Sequence, residues 1–182
     1  VLFHPRREPG LPQLSAGVHT VRLEVEENVH VGGKIFAAAP GAPVIIFFHG
    51  NGEIASDYEP IAPLFGRLGL TLFVIDYRGY GMSGGRPTST ALLRDAWASY
   101  QRAGDVLASR GITFDRLYLM GRSLGSAAVL EIASRSTEGI AGLIIESGFA
   151  HTFPLLERLG GMRLPNARED RDGFNNLAKI AG

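Results

Sequence analysis

Residues 116–135 read RLYLMGRSLGSAAVLEIASR. An apolar run, Leu117 to Met120, has the length of a buried strand and stops at Gly121. Ser123 follows two residues later and Gly125 two after that. A small, apolar, helix-compatible run completes the stretch. The segment is therefore G-x-S-x-G set between a strand and a helix, with no spare loop residues. The bare pattern is weak in a chain with 24 glycines. Its setting is stronger. A serine on so sharp a turn is held in a strained backbone, with its hydroxyl projected above the end of the sheet. Gly121 and Gly125 let neighbouring backbone pack without side-chain clashes. The Leu124 N–H opens the helix and is an unpaired donor aimed at the same space. The competing reading of Ser123 is a plain helix N-cap, a position serine favours.

The flanking sequence supplies the sheet for such a turn. Val21, Leu23 and Val25 alternate with polar neighbours in His19–Glu27, which predicts a half-buried strand. A second strand is expected over Val29–Ala38, with Gly32-Gly33 as a turn or bulge. Val44 to Phe48 are apolar without alternation, as in a strand buried on both faces, and Leu70–Gly79 reads the same way. A helix is expected from Asp57, as its N-cap, to Gly69. The longest helix spans Thr88–Gly111, with Leu92, Ala96, Tyr100, Ala103 and Leu107 along one face. A further strand covers Ile140–Gly148, and the remainder has at most short helices. Strands alternating with helices predict an α/β fold: a three-layer sandwich, its mostly parallel sheet covered by helices on both faces. Ligands then sit at the carboxyl ends of the strands. There the sequence places His49 and Asn51, Asp76 and Arg78, Ser123, and Glu146 and Ser147.

At 182 residues the chain suits one domain, read as residues 1–182 with 1–17 an extended entry segment and 151–182 the start of a cap or linker. Formal net charge is zero, which gives no footprint for nucleic acid. No apolar run reaches the ~18–20 residues of a membrane span. Cysteine is absent, so disulfides, thiolate metal sites and a Cys nucleophile are excluded. That fits a reducing compartment, and a cytoplasmic location is expected. No metal-ligand spacing appears, and no cofactor is called for.

A second oxyanion donor is expected in FFHGNG. The Asn51 N–H lies just past a buried strand, with glycine on either side. Taken together, VIIFFHGNG, FVIDYRGYGMSGGRP, LYLMGRSLGS and GLIIESGF resemble the α/β-hydrolase superfamily, most of all its single-domain serine hydrolases. The resemblance covers roughly Val18 to Ala150. It implies Ser123 as nucleophile and Leu124 and Asn51 as oxyanion-hole amides, with His49, Gly50, Gly121 and Gly125 shaping the site. It implies an eight-stranded sheet, of which this chain supplies about six. The family order is Ser, then Asp or Glu, then His. By the resemblance the last two strands, the acid and the His are absent, so the fold is expected to be truncated.

Within the chain, His151 could approach Ser123 from the cap side, and Glu146 could orient a His. His4, His19 and His30 precede the core and are expected far from the elbow. Asp76 and Arg78 read as loop organisers that bond turn amides. GYGMSG (79–84) matches a dinucleotide-binding pattern, yet Gly85, Arg86 and Pro87 intervene before the helix. The function expected is a serine hydrolase acting on a small-molecule ester, thioester or amide. The rival is a catalytically silent fragment or binding module on the same fold. Phe153, Leu155, Leu156 and Leu159 would form an apolar lid. An exposed sheet edge at Ile140–Glu146 is expected to favour a homo-oligomer.

Overall fold

A computed structural model describes residues 2–8, 17–161 and 163–181. Six strands form one sheet in the order β1-β2-β4-β3-β5-β6. The strands are β1 (Val18–Glu26), β2 (Val29–Phe36), β3 (Val44–Phe48), β4 (Thr71–Ile75), β5 (Leu117–Arg122) and β6 (Ile140–Glu146). β1 pairs with β2 and β2 with β4 in antiparallel fashion, while β4, β3, β5 and β6 run parallel. The sheet is mostly parallel and does not close.

Alternation along the central strands divides the core in two. Val44, Ile46 and Phe48 of β3, with Phe73 and Ile75 of β4, pack on one face. There they meet α2 (Ser89–Ser109) and α3 (Gly125–Arg135), through residues such as Leu92, Ala96, Ala103, Leu107 and Ala127. Ile45, Phe47, Leu72 and Val74 point to the other face. Ala55 and Tyr58 of a 3₁₀ turn (Ala55–Tyr58) and Ala62 of α1 (Ala62–Arg67) cover them. An uninterrupted apolar run is what a strand needs when both its faces are covered.

Two sequence expectations are corrected. Gly32 and Gly33 form no turn or bulge, but pair in register with Arg22 and Val21 inside β2. A Cβ on Gly33 would lie 2.7 Å from the Val74 carbonyl oxygen, so close strand passage requires glycine there. The turn falls at Asn28, whose φ is 60°, and the bulge lies across β1 between Glu24 and Glu26. No helix starts at Asp57. Its carboxylate accepts from the Ile54 N–H (3.0 Å) and closes the 3₁₀ turn. α1 begins five residues later, at Ala62, with proline in its first turn. In α2 the Thr88 hydroxyl caps the Ala91 N–H (3.0 Å).

After β6 come three short helices: α4 (Thr152–Arg158), α5 (Glu169–Asp172) and α6 (Asn176–Ala181). α6 returns onto α3 through the Lys179–Glu131 pair, 2.6 Å. Among the described residues no helix is long and apolar enough to cross a membrane.

Candidate active site

The chain leaves β3 toward β4 on one side, then returns to β5 on the other. The crevice between the ends of β3 and β5 is thus the switch point of the sheet, where open α/β sheets bind ligands. His49, Gly50 and Asn51 leave β3 there, and Ser123 and Leu124 leave β5.

Ser123 has φ = 50°, a left-handed conformation rare for a residue with a side chain. Several contacts hold it in place. Its N–H donates to the Glu146 carbonyl (2.8 Å). Its carbonyl accepts from the Ser126 N–H (3.0 Å) and hydroxyl (2.6 Å). Such a conformation persists only where the surroundings over-determine it. The two glycines explain how the turn fits. A Cβ on Gly125 would lie 1.9 Å from the Phe48 carbonyl oxygen, and one on Gly121 would lie 2.4 Å from the Gly125 carbonyl oxygen. Backbone of β3, β5 and α3 therefore meets with nothing between.

Ser123, Leu124 and Asn51 line one cavity of about 450 Å³. Among the described residues, neither the Asn51 nor the Leu124 N–H has a hydrogen-bond acceptor. The apolar lining comes from Leu2, Phe149 and the residues in and after α4: Leu155, Leu156, Leu159 and Leu164. Of the four expected lid residues, Phe153 is not in the lining.

A polar frame holds the β3 exit. Glu53 accepts from the Gly50 N–H (2.7 Å) and the Tyr58 hydroxyl (2.6 Å), and also pairs with Arg122 on the elbow. Burial and the neighbouring Glu53 carboxylate keep the Tyr58 phenol far above its ordinary value. His49 is fully buried. Its Nδ1 meets the Gly50 carbonyl (2.8 Å) and its Nε2 meets Asp76 (3.2 Å), beneath the rings of Tyr77 and Tyr80. Asp76 also accepts from the Ala55 N–H (2.8 Å), the turn-amide role expected of it. Arg78 departs from that expectation. It binds no turn amide but reaches the buried Asp95 of α2 and Glu26 of β1 (2.8 Å each).

The Glu146 and His151 side chains are not in the lining of the Ser123 cavity. Glu146 pairs with Arg122 (3.2 Å) rather than with a His. His151 is exposed at the N-terminus of α4, makes no side-chain cap, and is not in the cavity lining. His4, expected far from the elbow, lines the cavity with Ser123. The Asn51 side chain brings it there, accepting from the His4 N–H (2.9 Å) and the Tyr80 hydroxyl (2.6 Å) and donating to the Leu2 carbonyl (2.7 Å). Burial pushes the Tyr80 phenol up to about 12, so it remains a donor at neutral pH. No sequence signal placed Leu2 and His4 here, because a segment without periodicity gives no partner. Among the described residues no cluster of His, Asp and Glu could hold a metal ion.

The chain is similar to known proteins. The Arabidopsis thaliana α/β-hydrolase domain-containing protein WAV2 is 34% identical over 134 residues, covering 72% of this chain and 41% of that protein. Protein bem46 of Schizosaccharomyces pombe is 31% identical over 109 residues, covering 59% of this chain and 35% of that protein. The Xenopus laevis α/β-hydrolase domain-containing protein 17C is 28% identical over 172 residues, covering 90% and 50%. The chain thus spans about half or less of the length of these relatives. Among solved structures, the carboxylesterase EstE1 from a metagenomic library superposes with a TM-score of 0.64 at 17% identity, covering 88% of this chain and 57% of that one. The hydrolase GrgF of Penicillium gives 0.63 at 23%, covering 90% and 63%. These two likenesses concern the fold. Residues 39–161, more than half of the chain, match the hydrolase family described as serine aminopeptidase, S33. With the six-stranded sheet, this match makes the chain a member of that family of α/β-hydrolases.

Proposed function

We propose that Ser123 is the nucleophile of a serine hydrolase that cleaves a carboxylic ester, thioester or amide through an acyl-enzyme. One observation carries this reading: Ser123 is held at positive φ between Gly121 and Gly125, where close backbone approaches leave no room for a Cβ, in a cavity shared with Asn51 and Leu124. A serine serving only as a helix cap has no need of left-handed φ, since caps adopt extended backbone.

In the proposed reaction Oγ attacks the substrate carbonyl carbon. The π electron pair moves to the carbonyl oxygen, and the Asn51 and Leu124 N–H groups stabilise the resulting charge. Each such donor is worth about 3–4 kcal/mol in a characterised enzyme. The Oγ proton passes to a general base and then to the leaving group as its bond to carbon breaks. Water reverses these roles and frees the acid. The family order assigns the base to a His that follows the acid in sequence. His49 takes no part in this scheme. With Asp76 and Glu53 it fixes the path of the β3 exit, so that the Asn51 N–H faces the cavity. The leucine-rich lining favours apolar acyl or aryl groups.

A second reading is a binding module without turnover. It is favoured by the Ser123 hydroxyl, which has no hydrogen-bond partner among the described residues. A fluorophosphonate probe separates the two. The hydrolase reading expects covalent labelling that Ser123→Ala abolishes. Absence of labelling in the parent chain, or labelling that survives the substitution, would favour the module.

A further inference from the structure

Part of the cavity wall comes from the chain's first described residues. Phe3 is buried in the main core, while Leu2 and His4 on either side line the cavity. The rest of the segment is fastened to loops beyond the β3 and β4 ends. The Arg6 carbonyl accepts from the Gly81 N–H (2.8 Å), and the Glu8 N–H donates to the Gly81 carbonyl (3.1 Å). Arg6 pairs with Asp57, Arg7 with the Ser83 carbonyl, and Glu8 with Ser56. These anchors sit at the far end. At the cavity end, polar fastening falls to the Asn51 amide and the Tyr80 hydroxyl, which also accepts from the His4 N–H (3.0 Å).

We propose that residues 2–8 are a strap forming the specificity-determining wall of the Ser123 cavity, with the Asn51 side chain as the residue that positions it. This rests on the acyl-pocket reading above and deepens it. Asn51 would then serve twice: its main-chain N–H faces the developing oxyanion, and its side chain fixes the wall touched by the acyl group. The carbonyl oxygen and the acyl chain of one substrate are thereby registered to the same residue. The substrate class that follows is a flexible apolar acyl chain, able to lie between Leu2 on the strap and the leucines of the α4 segment.

The test is independent of turnover. Dansyl-labelled undecanoic acid mimics the acid released by the proposed reaction, and its fluorescence reports binding to the chain. Hydrogen exchange at the Phe3–Glu8 amides reports strap docking. Asn51→Ala is expected to speed exchange at His4 while Glu8, held by Gly81, stays protected, and to weaken probe binding. Leu2→Asp is expected to weaken binding about tenfold, the scale of one lost buried leucine contact, without speeding exchange. Leu2 meets Asn51 through its main-chain carbonyl, which the substitution keeps, so this variant tests the wall even where Asn51→Ala unfolds the loop. Probe affinity within about twofold of the parent in Leu2→Asp overturns the wall, as does a parent chain that binds no probe. Unchanged His4 exchange in Asn51→Ala overturns the positioning role. Leu2-dependent binding in a chain never phosphonylated at Ser123 would sink the hydrolase reading and leave the strap standing.

Discussion

Ser123 carries both a chemical proposal and a backbone cost. A non-glycine residue in the left-handed region costs roughly 1–3 kcal/mol. That cost separates two substitutions that both delete the hydroxyl. Ser123→Gly relieves the strain and is expected to stabilise the chain relative to Ser123→Ala, by about 1 kcal/mol or more. Paired urea titrations of the two variants check this. Equal midpoints would mean that φ = 50° is not a strained state here. The elbow was legible from sequence because each of its requirements leaves a mark: glycine for two close approaches, a serine at the turn between them, an apolar strand before and a helix after. The Asn51 main-chain position was legible for the same reason. Its side-chain role was not, since it depends on residues 47 and 49 positions away in sequence.

At the scale of elements, periodicity located every strand, and the errors fell where local chemistry overrides it. Asp57 looks like the cap of a helix, and it does cap, but Pro60 and Pro63 delay the helix and leave a 3₁₀ turn in its place. Two glycines in a strand suggest a bulge, yet both pair in register within β2, and Gly33 lets β4 approach. The docking of α6 on α3 had no sequence signal, and it includes the Lys179–Glu131 charge pair. Burial alone would push the Glu131 carboxyl up; hydrogen bonds from Lys179 and Arg135 outweigh it and leave the group below the ordinary 4.5. Because the folded chain binds this proton less tightly than the unfolded one, the stabilisation is complete above the ordinary value. It is lost as the pH falls through the lowered one. Glu131→Gln should therefore cost about 1–3 kcal/mol near pH 7 and less on acidification. Urea midpoints at both pH values check this, and an equal cost at both would remove Glu131 from the pH dependence.

For the whole molecule, the sheet ends in β6. Leu143, Ile144 and Ile145 are 42%, 40% and 38% exposed there, and among the described residues nothing pairs with the outer edge of the strand. An apolar, unpaired edge is a template for another chain. The chain is expected to self-associate at micromolar concentrations, with Ile144→Lys lowering the mass seen by light scattering. A monodisperse monomer in which the β6 amides exchange freely would contradict this. Fold class was readable because strand–helix alternation is global; of the cavity wall only the α4 part was, since Leu155, Leu156 and Leu159 form an apolar run, whereas Leu2 and His4 lie in a segment without periodicity. Length and charge bound the class of partner but leave the ligand to be read from the Leu-lined cavity itself.

The most direct test of the account is a crystal structure of the protein after reaction with an alkyl fluorophosphonate. The account predicts a bond from Ser123 Oγ to phosphorus, with the phosphoryl oxygen about 2.7–3.1 Å from both the Asn51 and Leu124 nitrogens. The alkyl chain should run between Leu2 and Leu155. An adduct on another residue, or a phosphoryl oxygen turned away from those two amides, would contradict it.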